Sequence, residues 1–274
     1  YPYNTLLYSG KYDGDMVLGK NYLQPDKAGS FGLELVQLYK LIGSGSYQNV
    51  VGNQYLDTAV GIANTLSGKM MDGDADNSPL PFKVNTVTGE TGKIYGKKGG
   101  EGLSSYTSNW SGTIEMYVEL IKLKKGNLAL YQHSFDRMLA WMKKYPLTNN
   151  KWGPFFEDIS VWSETQINAI SFAQFMMNHQ EYFPEWKQQV KGIFEWVYAT
   201  MKNETWKKYG VTVINEQTAY QMPGNSHTAR QAAAELQYAA LTGDTSFKEN
   251  AILQLNWATY MVKADGRNRY LQDD

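Results

Sequence analysis

The sequence predicts an all-α protein built from antiparallel helix hairpins that stack on one another. The main observation is a recurring pair of apolar helical segments separated by a glycine turn. A tryptophan follows the turn glycine at a regular distance, 15 residues from Gly126 to Trp141 and 14 from Gly243 to Trp257. A single hairpin cannot bury its own apolar stripe, so the copies must stack on their neighbours.

Four copies of this hairpin can be read along the chain. They cover residues 35–43 with 55–66, 115–123 with a helix reaching Trp141, 172–182 with 186–201, and 235–244 with a helix reaching Trp257. Apolar residues three and four positions apart predict helices that each bury one stripe. The predicted stripes are Leu35, Leu38 and Ile42 in the first copy, and Leu236, Ala239, Ala240 and Gly243 in the last.

The turns inside the hairpins have the composition of helix ends. Gly126 and Gly243 are expected to end the preceding helix, because glycine adopts the left-handed cap conformation without a steric penalty. In the last copy, Thr245 or Ser246 can cap the helix that follows.

The segments that link one hairpin to the next are long and rich in Trp, Gly, Asn and acidic residues. They cover about 72–107, 149–163 and 203–226, and residues 263–274 resemble the start of a further link. Stacked hairpins can form an open superhelix or close into a ring, and these links favour a ring, an α/α toroid. Because helices alternate in direction, the links should emerge at one end, where function usually lies. The predicted organisation is an N-terminal extension over 1–27 and a toroid domain over 28–274.

The composition excludes several classes of function. With 26 basic and 27 acidic residues and no basic block interleaved with aromatic residues, nucleic-acid binding is not expected. No apolar run approaches the ~20 residues of a membrane span. The absence of cysteine excludes disulfides and thiolate chemistry. The start at Tyr1 resembles a mature end, and we expect an exported bacterial protein, periplasmic or extracellular.

The repeat resembles the six-hairpin toroid carbohydrate-active enzymes, which include glycosidases, uronic-acid-processing enzymes and polysaccharide lyases. The resemblance extends over about residues 28–266 and consists of the repeat pattern. The segments that carry it are Leu38-Tyr39, the turn over 238–244, Asn256-Trp257-Ala258-Thr259-Tyr260, and Leu80-Pro81-Phe82-Lys83-Val84 followed by Thr88-Gly89-Glu90. The resemblance implies six hairpins, a carbohydrate substrate and a working site in the long links.

Two adjacent carboxylates in the second link, Glu157 and Asp158, are candidates for glycoside hydrolysis. That reaction needs one protonated and one ionised carboxyl on opposite sides of the scissile bond. Because sequence neighbours rarely face the same substrate, we expect the second carboxyl from another link, where Glu216 is the best candidate. The rings expected to stack on the sugar are Trp152, Trp162, Tyr106 and Tyr220.

The third link supports a different chemistry, β-elimination on uronic-acid polymers. Tyr220 or His227 would remove the proton next to the carboxylate, and Asn225 and Arg230 would hold that carboxylate. A third possibility is a toroid that binds glycans without catalysis.

Both candidate sites have a structural alternative at a helix start. Asp158 or Glu164 could cap the helix that opens near Ser163, where Ser163 and Gln166 fit a capping box. Asn225 or Ser226 could cap the helix that carries His227.

An acidic turn in the first link is a candidate calcium site. Asp72, Asp74 and Asp76 alternate as the oxygen ligands of hard-cation loops do. The EF-hand pattern is not completed, because Asn77 and Lys83 stand where Gly and Glu are required. The alternative is a solvated acidic turn, and no other cofactor is expected.

Overall fold

The computed structural model describes residues 21–42, 53–92, 94–95, 101–102, 105–155 and 162–267. Helices dominate this part of the chain, which confirms the all-α prediction. The helices are α1 (Pro25–Ile42), α2 (Asn53–Lys69), α3 (Ser111–Lys122), α4 (Leu128–Lys144), the single-turn α5 (Pro146–Asn149), α6 (Gln166–Asn178), α7 (Trp186–Met201), α8 (Asn225–Thr242) and α9 (Lys248–Tyr260). None of the described helices combines the length and the apolar character needed to cross a bilayer.

The four predicted hairpins are present as pairs of consecutive helices that pack on each other. These are α1 with α2, α3 with α4, α6 with α7, and α8 with α9. The chain divides into two compact units, Tyr1–Trp162 and Ser163–Asp274. Within the first unit α1 packs on α3, and within the second α6 packs on α8, so the opening helices of successive hairpins lie side by side.

Three short antiparallel strand pairs lie outside the helices of the described residues. Strand β1 (Tyr22–Leu23) pairs with β2 (Val84–Asn85), β3 (Ile94–Tyr95) with β4 (Glu101–Gly102), and β5 (Lys202–Asn203) with β6 (Val213–Ile214). The predicted boundary between residues 27 and 28 falls inside α1, which begins at Pro25.

The glycine turns take the predicted conformation. Gly126 has φ +76° and Gly243, the C-cap of α8, has φ +78°. Asn127 caps α4 by accepting a hydrogen bond from the Leu130 amide at 3.2 Å. The predicted cap of α9 is wrong, because the N-cap residue is Phe247 and the Ser246 amide donates to Asp244 Oδ1 at 2.9 Å instead.

The predicted apolar stripe of α8 is wrong. Leu236 and Ala239 are only half-buried, and Ala240 and Gly243 are exposed. The buried face is instead largely polar and consists of Asn225, His227, Thr228, Gln231, Ala232, Ala234, Glu235 and Tyr238. In α1, likewise, Leu35 is buried while Leu38 and Ile42 are half-buried.

Helices α1 and α3 cross at very short range because glycines lie at the contact. A Cβ atom added to Gly29 would lie 1.9 Å from Thr113 Oγ1, and one added to Gly112 would lie 2.5 Å from Ser30 Oγ. A Cβ atom on Gly32 would lie 2.3 Å from the Met116 sulfur. The absent side chains therefore set the spacing of the two helices.

Candidate functional site

Part of the third link, residues 213–224, folds back on itself in the second unit. We call this segment the link hairpin. Asn215 forms an isolated bridge with Pro223, and the Glu216 amide donates to the Met222 carbonyl at 3.0 Å. The tip of the link hairpin carries Tyr220, which is 43% exposed.

The link hairpin is fixed to the amino end of α6. The Gln166 amide donates to the Glu216 carbonyl at 3.2 Å, and the Thr218 amide donates to the Glu164 carbonyl at 3.0 Å. Ser163 donates its hydroxyl to Gln217 Oε1 at 2.8 Å. The predicted capping box is therefore wrong: Thr165 is the N-cap, and within the described residues no side chain caps α6.

Glu216 and His227 flank Gly224, the residue that joins the link hairpin to α8. Both side chains are only 5% exposed. A Cβ atom on Gly224 would lie 2.7 Å from His227 Nδ1 and 3.3 Å from Glu216 Cγ. The packing of the Glu216 and His227 side chains against the Gly224 backbone depends on the missing side chain at this position. The structure thus brings together one residue predicted for hydrolysis and one predicted for elimination.

The amino end of α8 opens at this site without a side-chain cap among the described residues. Gly224 is the N-cap, and Asn225 Oδ1 accepts a hydrogen bond from the Ser226 amide at 2.8 Å. The predicted capping role of Asn225 or Ser226 is therefore wrong. The first N–H groups of a helix carry partial positive charge and favour a nearby anion. Ser226 Oγ lies 3.3 Å from His227 Nδ1.

A buried polar network lies beneath the site, and sequence reasoning missed its carboxyl. Gln166 Nε2 donates to the His227 carbonyl and to Gln231 Oε1, each at 3.2 Å. Gln231 donates to Glu235 Oε1 at 2.7 Å, and Tyr198 donates to Glu235 Oε2 at 3.2 Å. Desolvation by burial raises the pKa of Glu235 to about 7. The available signal was the polar pair Gln231 and Glu235, four residues apart on one helix face.

Two further residues anchor Tyr198 at the edge of this network. Asn250 and Gln254 of α9 donate to the Tyr198 hydroxyl at 2.8 and 3.1 Å. Burial, and then the nearby charge of Glu235, raise the pKa of Tyr198 well above its usual range. Tyr198 therefore remains a hydrogen-bond donor to Glu235 at any pH at which the protein would act.

The other predicted residues are placed differently. Glu157 and Asp158 lie outside the described residues, and their pairing with Glu216 stays a prediction. Arg230 is exposed on α8, three residues after His227. Among the described residues, no contact indicates that Arg230 or Tyr220 binds a carboxylate.

The aromatic residues predicted to stack on sugar are largely internal to the first unit. Tyr106 and Trp152 are 0% exposed, and the Tyr106 hydroxyl donates to the Lys151 carbonyl. Trp162 is half-buried, with its ring edge-to-face against Tyr106 at 5.3 Å between centroids. Burial conflicts with a stacking role for Tyr106 and Trp152, because neither ring has an open face.

The acidic turn of the first link does not gather its carboxylates. Asp74 accepts hydrogen bonds from the amides of Asp76 and Asn77 at 2.7 and 2.8 Å, and these donors lower its pKa. Asp72 pairs with Arg137 at 3.0 Å, and Asp76 pairs with Lys151 at 2.7 Å. Across the residues that the structure describes, no three acidic or histidine side chains are grouped as metal ligands.

Comparison with solved structures places this architecture in a known fold class. One similar structure is a GH76 α-mannanase of Bacteroides thetaiotaomicron, with a TM-score of 0.55 and 13% identity over 89% of this chain and 60% of that chain. Another is a D-mannose isomerase, with a TM-score of 0.58 and 9% identity over 94% of this chain and 65% of that chain. The likeness confirms the predicted α/α toroid fold.

The chain spans about 60–65% of the length of these two structures. No protein-family model matches the sequence, and no curated protein matches it.

Proposed function

We propose that this protein is a glycan-processing enzyme whose acid/base chemistry is carried by Glu216, with His227 beside it. The observation that carries the proposal is the burial of both side chains on either side of Gly224, at the uncapped amino end of α8. The substrate class is supported by the fold, which is shared with an α-mannanase and a D-mannose isomerase. We therefore expect a mannose-containing glycan.

The reaction proposed first is hydrolysis of a glycosidic bond. Glu216 donates its proton to the glycosidic oxygen as the bond from that oxygen to the anomeric carbon breaks. The oxygen of a water molecule then bonds to the anomeric carbon, and a base accepts the proton that this water loses. Glu157 and Asp158 remain the proposed source of the second carboxyl.

The test is the release of reducing ends from α-mannan and from a panel of neutral polysaccharides. Glu216→Gln keeps the size of the side chain but removes its proton, and we expect a loss of about 10²- to 10⁴-fold in turnover. The matched control is Glu204→Gln, an exposed carboxylate of the same link that pairs with Lys207 at 3.1 Å. Full activity in Glu216→Gln would refute the assignment, and equal losses in both variants would point to a general effect on the link.

The second candidate is β-elimination on a uronic-acid polymer. It is favoured by the position of His227 in the first turn of α8, where helix N–H groups suit a carboxylate. Its product carries a new carbon–carbon double bond and absorbs ultraviolet light. Absorbing product from a uronic-acid polymer, abolished by His227→Gln, would select elimination over hydrolysis. Saturable binding with neither product would indicate a glycan-binding protein.

A further inference from the structure

The second unit contains a cavity of about 430 Å³ that is separate from the Glu216 and His227 side chains. Its walls include four aromatic rings, and we call it the aromatic pocket. The lining side chains used below are Trp206, Tyr209, Asn256, Trp257 and Tyr260. A volume of this size lies within the range of small-molecule sites.

The rings of the aromatic pocket form a cluster in which Tyr209 and Tyr260 are exposed to solvent. Trp206 contacts Trp257 edge-to-face at 5.8 Å between centroids, and Trp206 contacts Tyr209 at 5.9 Å. Tyr209 is 63% exposed and Tyr260 57% exposed. Large aromatic side chains with polar tips, left open to solvent beside a cavity, suit a ligand that offers both apolar C–H faces and hydroxyl groups. A sugar ring has both.

Trp257 adds a buried N–H donor that lacks a hydrogen-bond acceptor among the described residues. Its indole nitrogen is buried and, within the described residues, has no hydrogen-bond partner, while the whole residue is 5% exposed. A buried donor without an acceptor destabilises the folded state. A ligand hydroxyl that accepts from this N–H would remove that destabilisation when it binds.

The equivalent tryptophan of an earlier repeat shows that the unmet donor is specific to this position. Trp141 follows its turn glycine at 15 residues rather than 14, in the second helix of its hairpin, and its Nε1 donates to the Asp74 carbonyl of the preceding link at 2.9 Å. In the last repeat, the preceding link supplies the Trp206 ring in place of a carbonyl acceptor. Two copies of one structural position thus differ in the presence of an acceptor.

We propose that the aromatic pocket is an accessory binding site for a neutral sugar unit of a glycan chain. The rings of Tyr209 and Tyr260 pack on the sugar faces, Trp257 Nε1 donates to a hydroxyl oxygen, and the exposed Asn256 amide offers a further donor and acceptor. The ligand class rests on the proposed function, whereas the location of the site rests on the pocket itself.

The test measures binding of linear α-mannohexaose to the full chain by calorimetry, in wild type and in Glu216→Gln. Trp257→Phe keeps an aromatic ring and removes the N–H, and we expect affinity at this site to fall by about tenfold, the equivalent of one hydrogen bond. Tyr260→Ala should reduce it at least as much. The matched control is Trp141→Phe, which loses the bond to Asp74 and should unfold at a lower temperature without a change in sugar affinity.

The outcomes separate this site from the proposed catalytic one. Loss of turnover in Glu216→Gln with unchanged binding in that variant supports both proposals. Binding that depends on Trp257 and Tyr260 in a protein without turnover on any glycan supports the pocket and refutes the enzymatic assignment. Unchanged affinity in both pocket variants refutes the accessory site. The accessory site is also refuted if the protein does not bind the sugar and instead self-associates in a way that depends on Tyr260, since the pocket would then be an interface between copies.

Discussion

Glu235 is wholly buried on α8, and its carboxyl receives hydrogen bonds from Gln231 and Tyr198. Neither partner is a cation, so the charged form gains too little to offset its desolvation, and the pKa rises. The network reaches Gln166 and through it the His227 carbonyl. A protonation change at Glu235 is therefore connected to the candidate site by hydrogen bonds.

The raised pKa of Glu235 predicts a pH-dependent stability. Its pKa is about 7 in the folded protein against an ordinary value of 4.5. The stabilising contribution of protonated Glu235 is therefore complete below about pH 4.5 and is lost as pH rises through 7. The difference corresponds to about 3 kcal/mol in the free energy of unfolding. Urea denaturation at a series of pH values measures it.

Glu235→Gln is the variant that isolates this effect. Glutamine keeps the shape of the side chain and does not titrate, although its amide nitrogen cannot accept, so one of the two bonds from Tyr198 and Gln231 is lost at every pH. The stability of the variant should therefore vary less with pH between about 4.5 and 7. Hydrogen-bond donors lower the pKa values of Asp74 and Asp244, which therefore titrate below this window. Parallel pH profiles in wild type and variant would show that Glu235 is not the responsible group.

At the residue scale, the sequence predicts Glu216 and His227 as site residues but does not predict their surroundings. Both belong to residue types that perform proton transfer, in a segment recognisable as a long link. Glu235 was missed because periodicity locates apolar stripes, whereas the buried face of α8 is satisfied by paired polar side chains. Tyr106 and Trp152 were taken for surface rings because composition does not distinguish an open ring from one enclosed by its own link.

At the level of secondary structure, the crossing of α1 and α3 is the most constrained contact. Gly29→Ala would bring a methyl group to 1.9 Å from Thr113 Oγ1. Because Thr113 is buried, the helices must separate, and we expect a loss of about 1–3 kcal/mol in the free energy of unfolding. The control is Gly61→Ala on α2, where a Cβ atom would meet no described atom within 4 Å. It should stabilise by up to about 1 kcal/mol. Stabilisation by both variants would contradict the tight crossing.

The junction between the link hairpin and α8 makes a different prediction. Gly224→Ala would place a Cβ atom 2.7 Å from His227 Nδ1, and the imidazole and Glu216 must move apart. We expect turnover to fall by about tenfold or more, since displacements near 1 Å in a site are costly. The free energy of unfolding should fall by about 1–3 kcal/mol as well, because both side chains are buried. Gly192→Ala on α7, where a Cβ atom meets no described atom within 4 Å, is the control. Wild-type turnover in Gly224→Ala would exclude a role for this junction.

The hairpins and their glycine turns were predictable because they depend on local conformation. Gly243 ends α8 through a left-handed backbone geometry that only a few neighbouring residues determine, whereas α3 already ends at its C-cap Leu123, before Gly126. The caps of α6, α8 and α9 were not: Ser163 bonds to the link hairpin rather than to its own helix, whereas the amides of Ser226 and Ser246 bond to the neighbouring side chains of Asn225 and Asp244. Caps are local patterns, but a long link brings competing partners to the same donors and acceptors.

The charge balance of the whole molecule predicts how substrate binding responds to salt. The formal net charge is −1 at pH 7, so a neutral glycan gains little from long-range attraction. Raising the salt concentration from 0.1 to 1 M shortens the Debye length from about 10 to about 3 Å, and KM for a neutral glycan should change by less than about twofold. A marked rise in KM would instead indicate an anionic substrate and favour elimination. Initial-rate assays over this range distinguish the two.

The packing of consecutive helices also has a consequence for how the chain acquires its structure during synthesis. In each hairpin the two helices in contact are joined by a short segment, as α8 and α9 are by the turn at Gly243. Contacts between residues close in sequence cost little loop-closure entropy and form quickly. A nascent chain can therefore assemble each hairpin soon after its second helix leaves the ribosome, and within each unit the completed hairpin offers a surface on which the next one packs.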